Sequence, residues 1–129
     1  MKDSGFVARP DYRVDILARR NRMTVSVSGE LLADSVRALL IDEQDHGLVV
    51  YFPPEDVRLE RFVADDRTSW CPFKGTATYR RLERHGPEVL AWSYEEPYPE
   101  VARLAGYVAF YQDVVDLRVG VAVPAVSGR

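Results

Sequence analysis

One cysteine, two histidines and eight glycines, none followed by glycine or serine, are the scarcities of this 129-residue chain. Each removes a class of protein. A lone thiol, Cys71, rules out an internal disulfide, and two histidines beside it exclude a thiolate–imidazole zinc site. No apolar run approaches the roughly 20 residues needed to cross a bilayer, and Met-Lys-Asp-Ser is no signal-peptide start. Nor is there a surplus of positive charge. Seventeen Lys and Arg against 20 Asp and Glu leave a net charge of −3 and a pI near 5.4, which argues against nucleic-acid binding. The expectations are a cytoplasmic protein, monomer or homodimer, with no nucleic-acid or membrane partner, no metal and no cofactor.

Hydrophobic residues are abundant at 47%, and a chain of this length buries roughly two-thirds of its unfolded surface, enough for a core without staples. One domain over residues 10–119 is expected, with unpatterned, frayed ends at 1–9 and 120–129. Period-two alternation dominates between them. Met23, Val25 and Val27 share one strand face, Thr24, Ser26 and Ser28 the other, and Ser28-Gly29 turns the chain into Glu30–Ala33. The same pattern predicts strands over 12–17, 37–42, 48–52, 57–62, 76–84, 89–94, 107–111 and 114–119. His46-Gly47, Pro53-Pro54 and His85-Gly86-Pro87 supply the turns between them. Only 99–105 reads as helix, with Pro99 in the first turn and Gly106 at the C-cap. The expected fold is mostly β: a small twisted antiparallel sheet closed into a barrel or a tent-like two-sheet sandwich, with one short helix.

Charge falls in blocks. Residues 41–66 carry eight acidic and two basic side chains, residues 67–92 five basic and two acidic. Such blocks form either alternating solvated faces or the walls of a polarised cleft.

Several motifs resemble a known family. They are Trp70-Cys71-Pro72-Phe73-Lys74-Gly75 with Ala77 and Tyr79, Ala91-Trp92-Ser93-Tyr94, Pro97–Ala102 and Gly106–Tyr111. Upstream, Gly29, Ala33-Asp34-Ser35, Ala38-Leu39, Tyr51-Phe52-Pro53 and Glu55-Asp56-Val57 follow in the same order. Together they are similar to the bacterial domain-of-unknown-function 427 family over about residues 22–117. The resemblance implies a small, mostly β, single-domain bacterial protein without implying a reaction. The family is sometimes labelled nucleotidyltransferase-like. That chemistry uses paired carboxylates for two cations and a Gly-rich phosphate loop, whereas this chain has no Asp-x-Asp pair and only Glu43-Gln44-Asp45 as a substitute.

The residues themselves nominate a pocket for a small molecule. Cys71 sits before Pro72 with Lys74 three residues on, a candidate nucleophile whose competing and favoured reading is a small buried hydrophobe. Lys74, fixed between Phe73 and Gly75, is the candidate for neutralising a carboxylate, phosphate or enolate, and Gly75 permits close backbone approach of a ligand. Alternation puts Trp92 with Tyr94 on one face and Tyr107 with Tyr111 on another, so phenols and an indole converge if those faces line one interior. Glu43 is a candidate acid or base, while Tyr51, Tyr79 and Arg58 complete the candidate binding set. His46 and His85 read as solvent-facing turn residues. The reading is an enzyme whose catalytic set is Lys74, Tyr94, Tyr107, Cys71 and Glu43, moving protons on or isomerising, cyclising or hydrolysing an anionic or carbonyl-bearing substrate. The alternatives are a non-catalytic ligand-binding module and a protein-interaction domain.

Overall fold

The computed structural model describes residues 2–120. Ten strands form: β1 Val14–Ala18, β2 Met23–Val27, β3 Glu30–Ser35, β4 Leu39–Glu43, β5 Val49–Phe52, β6 Phe62–Cys71, β7 Gly75–Leu82, β8 Val89–Ser93, β9 Val108–Phe110 and β10 Asp116–Val119. Seven pair antiparallel in the order β1-β4-β5-β9-β8-β7-β6, and three in the order β10-β2-β3. The protein is therefore mostly β with antiparallel sheets, as the alternation requires. The larger sheet does not close into a barrel among the described residues, because β1 and β6 are its two edges.

Period two sorts the side chains into two cores. Val50 and Phe52 of β5 and Val108 and Phe110 of β9 point to one face of the larger sheet. There they pack with Met23, Val25 and Val27 of the smaller sheet, which is how the two sheets come to share a core. Phe52 meets Phe110 edge-on with centroids 5.7 Å apart, a geometry contributing about 0.5–1.5 kcal/mol beyond area burial. The intervening residues, Tyr51 and Ala109, point to the other face with Leu39 and Ile41. Val101 and Leu104, both buried, cover part of that second face from the segment Pro99–Leu104.

Several local features differ from expectation. The predicted strand over 57–62 is instead mainly the 3-10 turn Leu59–Arg61, which follows another at Pro54–Asp56, with Val57 between them making a single bridge to Ala33. Arg58 N–H donates to the Leu32 carbonyl at 2.8 Å, so loop bonds replace a ladder there. Residues 62–71, which carry charged and turn-forming side chains, form β6, because the β7 ladder and a register shift between Asp65 and Thr68 absorb them. The helix over 99–105 is 3-10, broken by Val101 at φ −126° and ψ 29°. The N-terminal segment, expected to fray, crosses the β6–β7 turn, where Gly5 N–H donates to the Pro72 carbonyl at 2.6 Å. Of the expected C-terminal tail, residues 121–129 lie outside the described residues. Among the described residues no helix is long and apolar enough to cross a membrane.

Candidate functional site

The β6–β7 hairpin sets the site. Cys71 and Gly75 face each other across the ladder, leaving Pro72, Phe73 and Lys74 as its tip. Gly75 has φ +112°, and a Cβ there would lie 3.4 Å from the Glu96 carbonyl oxygen, so glycine is what lets the tip close. Tyr98 N–H donates to the Lys74 carbonyl at 3.1 Å and ties the tip from one side. From the other, Tyr12 stacks on Phe73 with centroids 3.6 Å apart and planes 6° from parallel. Phe6 meets Phe73 edge-on at 5.1 Å. With its outer side covered, the tip sends the Lys74 side chain inward.

Its partner comes from β4. Leu39, Ile41 and Glu43 alternate onto one face, and the face that buries the first two also buries the carboxylate. Lys74 Nζ donates to Glu43 Oε1. Tyr12 OH donates to Glu43 Oε2 at 2.5 Å, and His46 Nε2 lies 3.6 Å from the same oxygen. Lys74 is 6% exposed and Glu43 8%, so this is an ion pair withdrawn from solvent. Burial pushes the Glu43 carboxyl up, but the hydrogen bonds from Lys74 and Tyr12 outweigh it and hold Glu43 below its ordinary range. Burial and the hydrogen bond to Glu43 push the Tyr12 phenol up to about 12. At rest, therefore, Glu43 is a carboxylate and Tyr12 a neutral phenol.

Beside the pair lies a cleft of about 470 Å³, the size of a small-molecule site. Its walls are aromatic: Tyr51, Tyr79, Trp92, Tyr94 and Tyr111, with Cys71 at the hairpin end. Trp92 Nε1 donates to Tyr51 OH at 3.2 Å, and the Tyr79 and Ser69 hydroxyls share a hydrogen bond of 2.6 Å. Tyr94 differs. Its side chain is buried, burial raises its phenol well above the ordinary value, and no described residue hydrogen-bonds to its hydroxyl. Burial raises Tyr51 in the same way. These phenols are donors, not bases, across the ordinary pH range.

The fold brings together Glu43, Cys71, Lys74, Tyr94, Trp92, Tyr51, Tyr79 and Tyr111 of the residues expected from the sequence. Gly75 shapes the hairpin without lining the cleft. Tyr107 and Arg58 are elsewhere: Tyr107 borders a second concavity, and Arg58 stands between the 3-10 turns. Tyr107, just before β9, packs against the same core as Ala109 but borders the concavity with Ala18 and Leu39. The carboxylate that Lys74 meets is the protein's own Glu43. Sequence reasoning passed over Tyr12 and Phe73 as site residues and read His46, which is indeed exposed, only as a turn residue. The in-phase spacing of Leu39, Ile41 and Glu43 was a usable signal for the buried carboxylate, but nothing local marks Tyr12. Among the described residues, no three His, Cys, Asp or Glu side chains are grouped to hold a metal ion.

A family model described as a domain of unknown function, DUF427, matches residues 15–120. The chain belongs to that family. No curated protein matches it. In this DUF427 domain the cleft residues Glu43, Cys71, Lys74 and Tyr94 fall inside the matched region, whereas Tyr12 precedes it. The hydroxyl that donates to Glu43 thus comes from the segment leading into the domain.

Proposed function

We propose that the protein is a small-molecule enzyme that binds a carbonyl-bearing, largely apolar organic compound in the Glu43–Lys74 cleft and moves a proton on it. The observation that carries this reading is a withdrawn ammonium–carboxylate pair beside an aromatic cleft that also holds an unpartnered phenol donor. A carbonyl oxygen facing Tyr94 would receive its hydrogen bond, and the Lys74 ammonium would stabilise negative charge growing on that oxygen. Glu43 would take the proton from the adjacent carbon and return it to the product, leaving the carboxylate as it began. Because Lys74 is already matched by Glu43, a neutral substrate suits the resting cleft better than an anion. A cytoplasmic, bacterial setting belongs to the same reading.

One observation favours the second reading, a binding module without chemistry: hydrogen bonds hold Glu43 ionised and weaken it as a base. A single experiment separates the two. Aromatic ketone fragments are screened by amide chemical-shift changes, and the best is incubated with protein in D2O. The proposal expects shifts centred on Lys74, Trp92 and Tyr94, and deuterium at the α-carbon faster than in buffer. Tyr94→Phe should weaken binding about tenfold, as for one lost hydrogen bond of about 1.4 kcal/mol. Binding with no added deuterium supports the module. Shifts outside the cleft overturn both.

A further inference from the structure

The second concavity on the larger sheet has a different chemistry. It encloses about 680 Å³ where β1 ends and β4 begins, and no residue that lines it also lines the Glu43–Lys74 cleft. Leu39 sits in its wall four residues before Glu43, about 13 Å along a strand at roughly 3.3 Å per residue. Four guanidinium side chains border it: Arg19 and Arg20 after β1, Arg37 before β4, and Arg103 from the Pro99–Leu104 segment. Their separate origins mean that only the folded chain assembles them.

Three of the four keep their charge unmatched. Arg37 pairs with Asp56 at 3.1 Å and Glu55 at 3.5 Å. Arg19 Nη2 donates to the neutral Asn21 side chain at 3.3 Å. No carboxylate of the described residues forms an ion pair with Arg19, Arg20 or Arg103. In a chain of net charge −3, three unmatched guanidiniums around one concavity form a local positive field that a dispersed surface would lack. The remaining wall is apolar. Val36 is 54% exposed, Leu39 is buried, and Tyr107 is half-buried.

We propose that this concavity is a binding site for a soluble organic diphosphate, with the phosphoryl groups held by Arg19, Arg20 and Arg103 and an apolar body laid against Val36, Leu39 and Tyr107. Guanidinium forks match phosphoryl oxygens in pairs, and three of them match the charge of a diphosphate. The volume exceeds what inorganic phosphate fills, and the apolar wall gives the excess a purpose. This assigns Tyr107 a role independent of the Glu43–Lys74 cleft.

The test is calorimetric titration of the full chain with geranyl diphosphate, with inorganic pyrophosphate and geraniol as the two halves of the probe. Saturable binding is expected that exceeds either half, weakens with added salt, and falls at least about tenfold in Arg20→Gln and in Arg103→Gln. Arg118→Gln, an exposed β10 arginine outside the concavity, should leave it unchanged. Equal loss in Arg118→Gln would mean general charge attraction, and undiminished binding in both Arg20→Gln and Arg103→Gln would mean another site; either overturns the assignment. Sedimentation with phosphatidylglycerol vesicles without affinity for soluble geranyl diphosphate would assign the patch to a lipid surface, and overturns it too.

Discussion

Replacing Lys74 by Met keeps most of the stem that fills the hairpin tip and leaves Glu43 without its ammonium. Removing one partner of a buried pair costs about 3–5 kcal/mol where the remaining charge is left alone. Glu43 is not left alone, since Tyr12 still donates to Oε2 and the cleft admits water, so a loss of about 2–3 kcal/mol at pH 7 is expected. The pH dependence has a definite sign. In the native protein the folded Glu43 carboxyl is held below its unfolded value. Its stabilisation is therefore complete above the unfolded pKa, about 4.3, and is lost as pH falls through the lower folded value. In Lys74→Met, burial is opposed by fewer donors, so the folded pKa rises and the variant sheds its buried charge earlier on acidification. The gap between the two proteins should be widest near neutrality and shrink in acid. Urea unfolding at pH 7 and at pH 4 measures it, with equal slopes required for the comparison. In Lys74→Met combined with Glu43→Gln the loss should be smaller than the sum of the single losses, because the unmatched charge is gone. A loss under about 0.5 kcal/mol at pH 7, or the same loss at both pH values, would refute the buried pair as described.

Two further outcomes concern the hairpin. Gly75→Ala should destabilise by about 1–3 kcal/mol in the same urea assay, since φ +112° is a region that side chains rarely adopt and the new Cβ meets the Glu96 carbonyl; an unchanged midpoint would show that the tip relaxes freely. Cys71 is half-buried and lines the cleft, so iodoacetamide should label it slowly, and a fragment bound beside Lys74 should slow labelling further. Labelling as fast as in the urea-unfolded chain would place the thiol outside the cleft.

Much of the secondary structure was legible locally. Met23–Val27 alternates without exception and forms the strand expected, and Ser28-Gly29 makes the turn, with φ of 50° and 82°, that joins it to β3. The motif from Trp70 to Gly75 singled out the lysine but not the hairpin that carries it, and alternation put Trp92 and Tyr94 on one strand face. Strand 62–71 was not legible, because Asp65, Asp66 and Arg67 look like a turn until the β7 ladder holds them extended. Whether the sheet closed was likewise undetermined, since edges depend on which strands pair and not on how each one alternates.

The site divides along the same line. Composition by itself determined that no disulfide forms and that aromatic and charged groups must find partners within one small domain. Alternation determined which of them share a strand face. Only the tertiary structure decided that Lys74 meets Glu43, 31 residues away, that Tyr12 completes the pair, and that Tyr107 leaves the phenols of the cleft to join three unmatched arginines. The physical reason is that a buried charge is tolerable only where an opposite charge and hydrogen-bond donors converge on it. Convergence is a property of the folded sheet: in the order β1-β4-β5-β9-β8-β7-β6 three strands separate β4 from β7, yet Glu43 and Lys74 line one cleft.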